Sequence, residues 1–180
     1  MQSIFRYPGG KSRVQSRVLK HTPANYAEYR EPFVGGGGVY FGVPAVPRWI
    51  NDMHPGVVAV YQALRDRPDE FISMCRNIPM ADPCTPGLGK GRNHAYRGVE
   101  LEQAFHDAVF NEELDEALRY YILQRCSLMG RVVYGDPRRT YFTAPEGWNI
   151  VQTDRLQRAA ETLQGVRITQ GDFEPVFAER

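Results

Sequence analysis

An extended stretch at residues 26–34 runs directly into Gly35-Gly36-Gly37-Gly38, and this leaves the chain fewer options than any other segment. Its Tyr, Phe and Val residues suit a strand. Glycines have no Cβ to restrict them and can turn the backbone sharply before Val39-Tyr40-Phe41. A strand entering a glycine turn is therefore expected. The next segment, Arg48-Trp49-Ile50-Asn51-Asp52, reads as a second strand closed by an acid. Val57, Val60, Tyr61 and Leu64 then recur at helical spacing. Strand, turn and helix following one another in this order specify an α/β fold.

The remaining segments extend that pattern. Pro8-Gly9-Gly10 forms a turn before a helix carrying Val14, Val18 and Leu19, and Pro68 suits the first position of a helix with Phe71, Met74, Cys75 and Ile78 on one side. Residues 79–98 are rich in Pro and Gly and read as loop. A helix is expected over residues 111–127, with Glu112, Glu113, Asp115 and Glu116 crowding its start and Leu114, Leu118, Tyr121 and Ile122 on its apolar side. Residues 129–148 mix Gly, Pro, Arg and aromatics without a period, as an extended recognition loop would. A last helix holds Leu156, Ala159, Ala160 and Leu163, and residues 166–169 read as a strand leading into Gly171-Asp172-Phe173.

Composition narrows the functional classes. Hydrophobic residues make up 42% and charged residues 24% of the chain, and no run approaches the ~18 apolar residues of a membrane span. The N-terminal residues lack a signal peptide's apolar stretch, so the chain reads as cytoplasmic. Cys75, Cys84 and Cys126 form no CxxC pair, and His21, His54, His94 and His106 show no HxxxH spacing, so no metal site is expected.

Three segments carry chemistry. Gly10-Lys11-Ser12 has the end of a phosphate-binding loop, but GxxxxGK[ST] requires glycine where Phe5 stands. The glycine quartet is either a flexible turn or a place where a ligand approaches the main chain. Asp52, at the end of the next segment, either caps the following helix or accepts hydrogen bonds from the ribose hydroxyls of an adenosine-containing ligand. Between Arg119 and Trp148, arginines and aromatics outnumber acids, which suits either a solvated basic face or contact with DNA.

Read together, Arg6-Tyr7-Pro8-Gly9-Gly10-Lys11, then Arg30-Glu31-Pro32-Phe33-Val34-Gly35-Gly36-Gly37, then Ile50-Asn51-Asp52 resemble, in order and spacing, the opening of Dam-like (D12 class) DNA adenine-N6 methyltransferases. The resemblance implies a partial Rossmann-like domain that binds S-adenosyl-L-methionine through Tyr7, Gly10, Lys11, Phe33, Gly35 and Gly37. It also implies Asp52 on the ribose, Met53 along the adenine, and Asp172 and Phe173 flanking it. Residues 1–78 then form the first part of the methyltransferase core, 79–150 a target-recognition insertion and 151–180 a return to the core. Within the insertion, Arg125, Arg131, Tyr134, Arg138 and Arg139 are the expected contacts to double-stranded DNA, where arginine pairs with phosphates or base edges and aromatics stack on bases.

Members of that family carry an Asp-Pro-Pro-Tyr tetrapeptide that holds the amino group of a flipped adenine, and residues 1–180 contain none. No catalytic residue is therefore assigned. The resemblance implies a fragment, or one piece of a split enzyme whose missing strands come from a second polypeptide, inactive on its own. The alternatives are a non-catalytic cofactor- or DNA-binding module of the same family and an unrelated nucleotide-binding phosphotransferase built on Lys11.

Overall fold

A computed structural model of the chain describes residues 3–44, 46–78, 99–133, 135–142 and 152–179. The expected loop at 79–98 lies outside them. Three short parallel strands form the sheet: β1 (Tyr29–Glu31), β2 (Arg48–Asp52) and β3 (Arg167–Gln170), in the order β1-β2-β3. Tyr29 pairs with Arg48 at one end, and Asp52 pairs with Gln170 at the other. The first strand is shorter than residues 26–34 suggest, because Pro32 lacks an N–H and the chain turns at once toward the glycines.

After β2, His54 caps α2 (Pro55–Asp66) by accepting from the Gly56 amide through Nδ1 at 3.1 Å, and Pro55 supplies the first helical position. The next helix, α3 (Pro68–Arg76), starts at Pro68 as expected, with Asp69 and Glu70 in its first turn. Then come α4 (Val99–Phe110) and α5 (Glu116–Arg125), followed by α6 (Thr153–Leu163) before β3. The expected helix at 111–127 is thus shorter. Asp115 accepts from the Leu118 amide at 2.9 Å and fixes the start of α5, while Asn111 accepts from the Glu113 amide in the turn before it. The helix expected around Val14, Val18 and Leu19 is the short α1 (Gln15–Leu19), while α4 and α7 (Glu174–Ala178) after β3 were not foreseen.

Alternation divides the sheet into two faces. Ile50 and Ile168 point into the main core with Val57, Val60, Tyr61 and Leu64 of α2 and Leu156, Ala159, Ala160 and Leu163 of α6. Trp49 and Thr169 lie on the opposite face, where the indole N–H donates to Thr169 Oγ1 at 2.8 Å. The helix α5 packs along α2: a Cβ on Gly56 would collide with the ring of Tyr120, so this glycine lets the two helices approach. Arg67, just before α3, pairs with Asp115 and ties the second helical pair to the first. Among the described residues no helix is long and apolar enough to cross a membrane, and no three His, Cys, Asp or Glu side chains gather as a metal site.

Candidate cofactor pocket and nucleic-acid interface

The glycine turn is built by its neighbours. Gly37 donates to the Val34 carbonyl at 2.8 Å, and Gly35 and Gly37 adopt φ of +47° and +70°, the left-handed region that side chains disfavour. Space is restricted as well: a Cβ on Gly35 would lie 2.8 Å from the Tyr7 ring, and one on Gly37 would meet Phe41 and the Tyr61 hydroxyl. Tyr61, fully buried on α2, donates from its hydroxyl to the Gly35 carbonyl at 3.0 Å. The turn is rigid, not a slack linker.

Asp52 sits at the tip of β2 and is buried. Its Oδ2 accepts from the Gly35 amide at 2.8 Å and its Oδ1 from the His54 amide at 2.9 Å. The N-cap of α2 is His54, so Asp52 does not itself cap the helix. The carboxylate organises the entry to α2 and also grips the glycine turn, and its oxygens keep lone pairs for further donors.

A cavity of about 420 Å³ opens above the turn, and Tyr7, Gly10, Lys11, Phe33 and Gly35 line it together with Glu31. Gly37 faces inward and is not in the lining, while Asp52 reaches the cavity's wall through Gly35. Met53 is exposed beside it. Phe173 is joined to the same region through Phe33, their rings 5.2 Å apart and tilted. Asp172 accepts from the Glu174 amide at 2.9 Å, and so begins α7. Lys11 folds back, its Nζ donating to the Gly9 carbonyl at 2.5 Å.

Two residues of this region were quoted in the sequence motifs without being given a role. Glu31 lines the cavity and accepts from the Tyr29 hydroxyl at 2.7 Å; burial nevertheless pushes its carboxyl up to about 7. A carboxyl so placed favours a cationic ligand, which restores its charge. Its position immediately before Pro32, at the end of a strand, was the available signal. Asn51 is 2% exposed and donates through Nδ2 to the carbonyls of Pro32 at 3.1 Å and Gly171 at 3.0 Å. It thereby fixes the loops that carry Phe33 and Phe173. Burial, followed by the nearby Asp52 charge, raises the Tyr7 hydroxyl above its ordinary range.

The expected DNA-facing residues divide. Arg131 and Arg139 are exposed, and Arg138 is exposed while pairing with Asp136 at 3.1 Å. They flank the exposed side chains of Leu128, Met129 and Tyr141. Tyr134 lies outside the described residues. Arg125 differs from expectation: it is 6% exposed, on the last turn of α5, with its guanidinium 5.8 Å from the Tyr121 ring centroid. Burial brings it down to about 10. Its position on α5 makes it an interior residue, not a surface one.

Comparison with known sequences follows the same lines. Residues 7–180 match the sequence profile of the D12 class N6 adenine-specific DNA methyltransferase family. The chain is 23% identical over 187 residues to the type II methyltransferase M1.LlaDCHI of Lactococcus lactis subsp. cremoris, covering 99% of this chain and 61% of that protein. It is 24% identical over 155 residues to the DNA N-6-adenine-methyltransferase of Escherichia phage P1, covering 81% of this chain and 19% of that one. With the DNA adenine methylase of Haemophilus influenzae it shares 21% identity over 178 residues, 97% of this chain and 58% of the relative. The chain thus spans less than two thirds of the length of each of these relatives.

Proposed function

The chain belongs to the D12 class of N6 adenine-specific DNA methyltransferases, and from that premise we propose that it binds S-adenosyl-L-methionine on the glycine turn and presents it to an adenine extruded from duplex DNA. The observation that carries this reading is the Gly35–Asp52 hydrogen bond, which joins the cavity of Tyr7, Lys11 and Phe33 to a buried acid at the next strand's tip. A ligand with an amino-acid end and a ribose end matches that spacing of groups.

In this reading Gly35, Lys11 and Glu31 would hold the amino-acid end, Gly10 would let the chain approach closely, and Asp52 would accept from the ribose hydroxyls. Met53, Asp172 and Phe173 border the adenine, and Gly37 shapes the turn from beneath. When bound, the sulfonium supplies an electrophilic methyl group: adenine N6 forms the new C–N bond, the C–S electron pair stays on sulfur, and N6 releases a proton. This chain's residues orient that methyl, and Tyr7 walls its side of the cavity. Residues 1–78 and 151–180 serve the cofactor and 79–150 the DNA, with Arg131, Tyr134, Arg138 and Arg139 on phosphates or bases. Extrusion is the general device for chemistry on a paired base.

Residues 1–180 contain no Asp-Pro-Pro-Tyr, so on this reading the grip on the adenine amino group comes from further polypeptide, continuous or separate. The site of action is DNA in the cytoplasm.

Calorimetry with S-adenosylhomocysteine, and with magnesium-ATP as the contrast, tests the binding step. Saturable binding of the first and none of the second is expected. Methyl transfer to unmethylated duplex DNA is then assayed with a polypeptide carrying Asp-Pro-Pro-Tyr. A folded chain with no affinity for S-adenosylhomocysteine, with or without that polypeptide, overturns the proposal.

A further inference from the structure

The outer face of the sheet carries a row of side chains that the cofactor pocket does not use. Arg30 of β1, Trp49 of β2 and Arg167 of β3 are register neighbours across the parallel strands, so they stand side by side on the face turned away from α2 and α6. Parallel sheets are ordinarily apolar on both faces. Two guanidinium groups here call for a purpose.

Both guanidiniums lie over the Trp49 indole, at 5.2 Å for Arg30 and 3.6 Å for Arg167, and the indole is 1% exposed. From that platform both reach the same element. Arg30 Nη1 donates to the Val176 carbonyl at 2.9 Å and to the Glu179 carbonyl, while Arg167 holds the Glu179 carboxylate with both terminal nitrogens, Nη2 at 2.8 Å. The carbonyls at a helix's C-terminal end have no partner within the helix and attract cations. A five-residue helix such as α7 has no stability of its own, so these contacts and the buried Val176 decide where it sits. The residue immediately before it is Phe173, whose ring meets Phe33 at the cavity.

We propose that Arg30 and Arg167, seated on Trp49, are positioning residues that strap α7 to the sheet and so hold Phe173 at the cofactor pocket. The inference rests on the reading that Phe173 borders the cofactor adenine. It assigns a use to a polar row on a face where helix-covered sheets carry apolar side chains.

Binding of S-adenosylhomocysteine to single and double variants tests it. Arg30→Met keeps an unbranched apolar stem over Trp49 but removes the Nη1 donor shared by the Val176 and Glu179 carbonyls, along with the Nε bond to Glu28, and is expected to weaken binding about threefold to tenfold. Glu179→Gln, which weakens only Arg167's half of the strap at a half-exposed ion pair, is expected to lower affinity in the same direction but less than Arg30→Met does. If the strap acts through Phe173, Arg30→Met changes affinity by less than about twofold once Phe173→Ala is present, because the two changes then remove the same contact. An equal loss in both backgrounds, or no loss in the first, overturns the proposal. Arg30→Lys, retaining one charged donor, replaces the Met variant should that one not fold, with a smaller loss expected. Amide exchange of residues 174–178 in the ligand-free chain separates this inference from the one beneath it. Faster exchange in the Arg30 variant supports the strap even if the wild-type chain binds no S-adenosylhomocysteine, and unchanged exchange overturns it.

Discussion

The Gly35 amide donates to Oδ2 of Asp52 at 2.8 Å, so the bend that follows the first strand is fastened to the tip of the second. Because Oδ1 of the same carboxylate accepts from the His54 amide at 2.9 Å, one side chain sets both the floor of the cavity and the start of α2.

Asp52→Asn removes one acceptor and brings an NH₂ toward a backbone donor. One of the two amides loses its partner, at about 1–3 kcal/mol. A lower melting temperature is expected, together with a loss of S-adenosylhomocysteine affinity of about tenfold or more, the latter following from the proposed ribose contact. Thermal melts and calorimetry on the same preparation check both. Unchanged affinity in a folded variant rules Asp52 out as a ligand contact.

Tyr61→Phe deletes the hydroxyl that holds the Gly35 carbonyl and leaves that acceptor in the interior. A stability loss of about 1 kcal/mol or more is expected in urea unfolding. Binding should weaken for S-adenosylhomocysteine more than for methylthioadenosine, which lacks the amino-acid end proposed to lie over Gly35. Equal weakening of both ligands would place the effect in the general fold.

Glu31 makes the chain's stability depend on pH. Burial keeps its carboxyl protonated up to about 7, whereas an unperturbed glutamate ionises near 4.5. Between those values the folded chain holds a proton that the unfolded chain has lost. Stability from this group is therefore complete below about 4.5 and declines as pH rises through 7, by roughly 3 kcal/mol at most. Glu31→Gln should flatten that part of the profile. A cationic ligand has the opposite preference, so binding near pH 6 should release a proton, read as a dependence of binding enthalpy on buffer ionisation enthalpy. Equal release from Glu31→Gln would exclude Glu31 as its source.

The arginines from α5 to residue 139 should separate by role on the proposed function. Replacing Arg131 and Arg139 by Ala is expected to make the salt dependence of DNA binding shallower by about 2 in the log–log slope. Arg125→Ala should leave the slope alone and lower stability by about 2 kcal/mol, because it empties a packed position beside Tyr121. A change of slope in the Arg125 variant would return that residue to the interface.

How much of this was legible depended on whether the controlling contact was local. The second strand and the start of α3 could be read directly, since Trp49 and Ile50 favour a strand and Pro68 opens a helix whatever surrounds it, while α2 was legible from its apolar period but not its start, where His54 and not Asp52 is the cap. The glycine turn and its acid were legible from order and spacing. Arg125 was not: its type predicts a surface, and only the packing of α5 against its neighbours turns it inward. The extent of β1 depended on how soon the turn begins after Pro32. The start of α5 depended on Asp115, which occupies an acidic run where several residues could have capped. Asn51 stood beside Asp52 in the motif, but its two carbonyl partners lie 19 and 120 residues away. No reading of neighbours along the chain finds such a bond.

Gly56 has room only for a hydrogen where the Tyr120 ring comes down, and that ring also touches His54 and Phe5. The helix leading into the arginine-bearing segment is therefore bolted to the helix that springs from Asp52. On the proposed function, any tilt that DNA imposes on the first is felt at the base of the second, so polymer and small molecule would share a common wall instead of docking on separate parts.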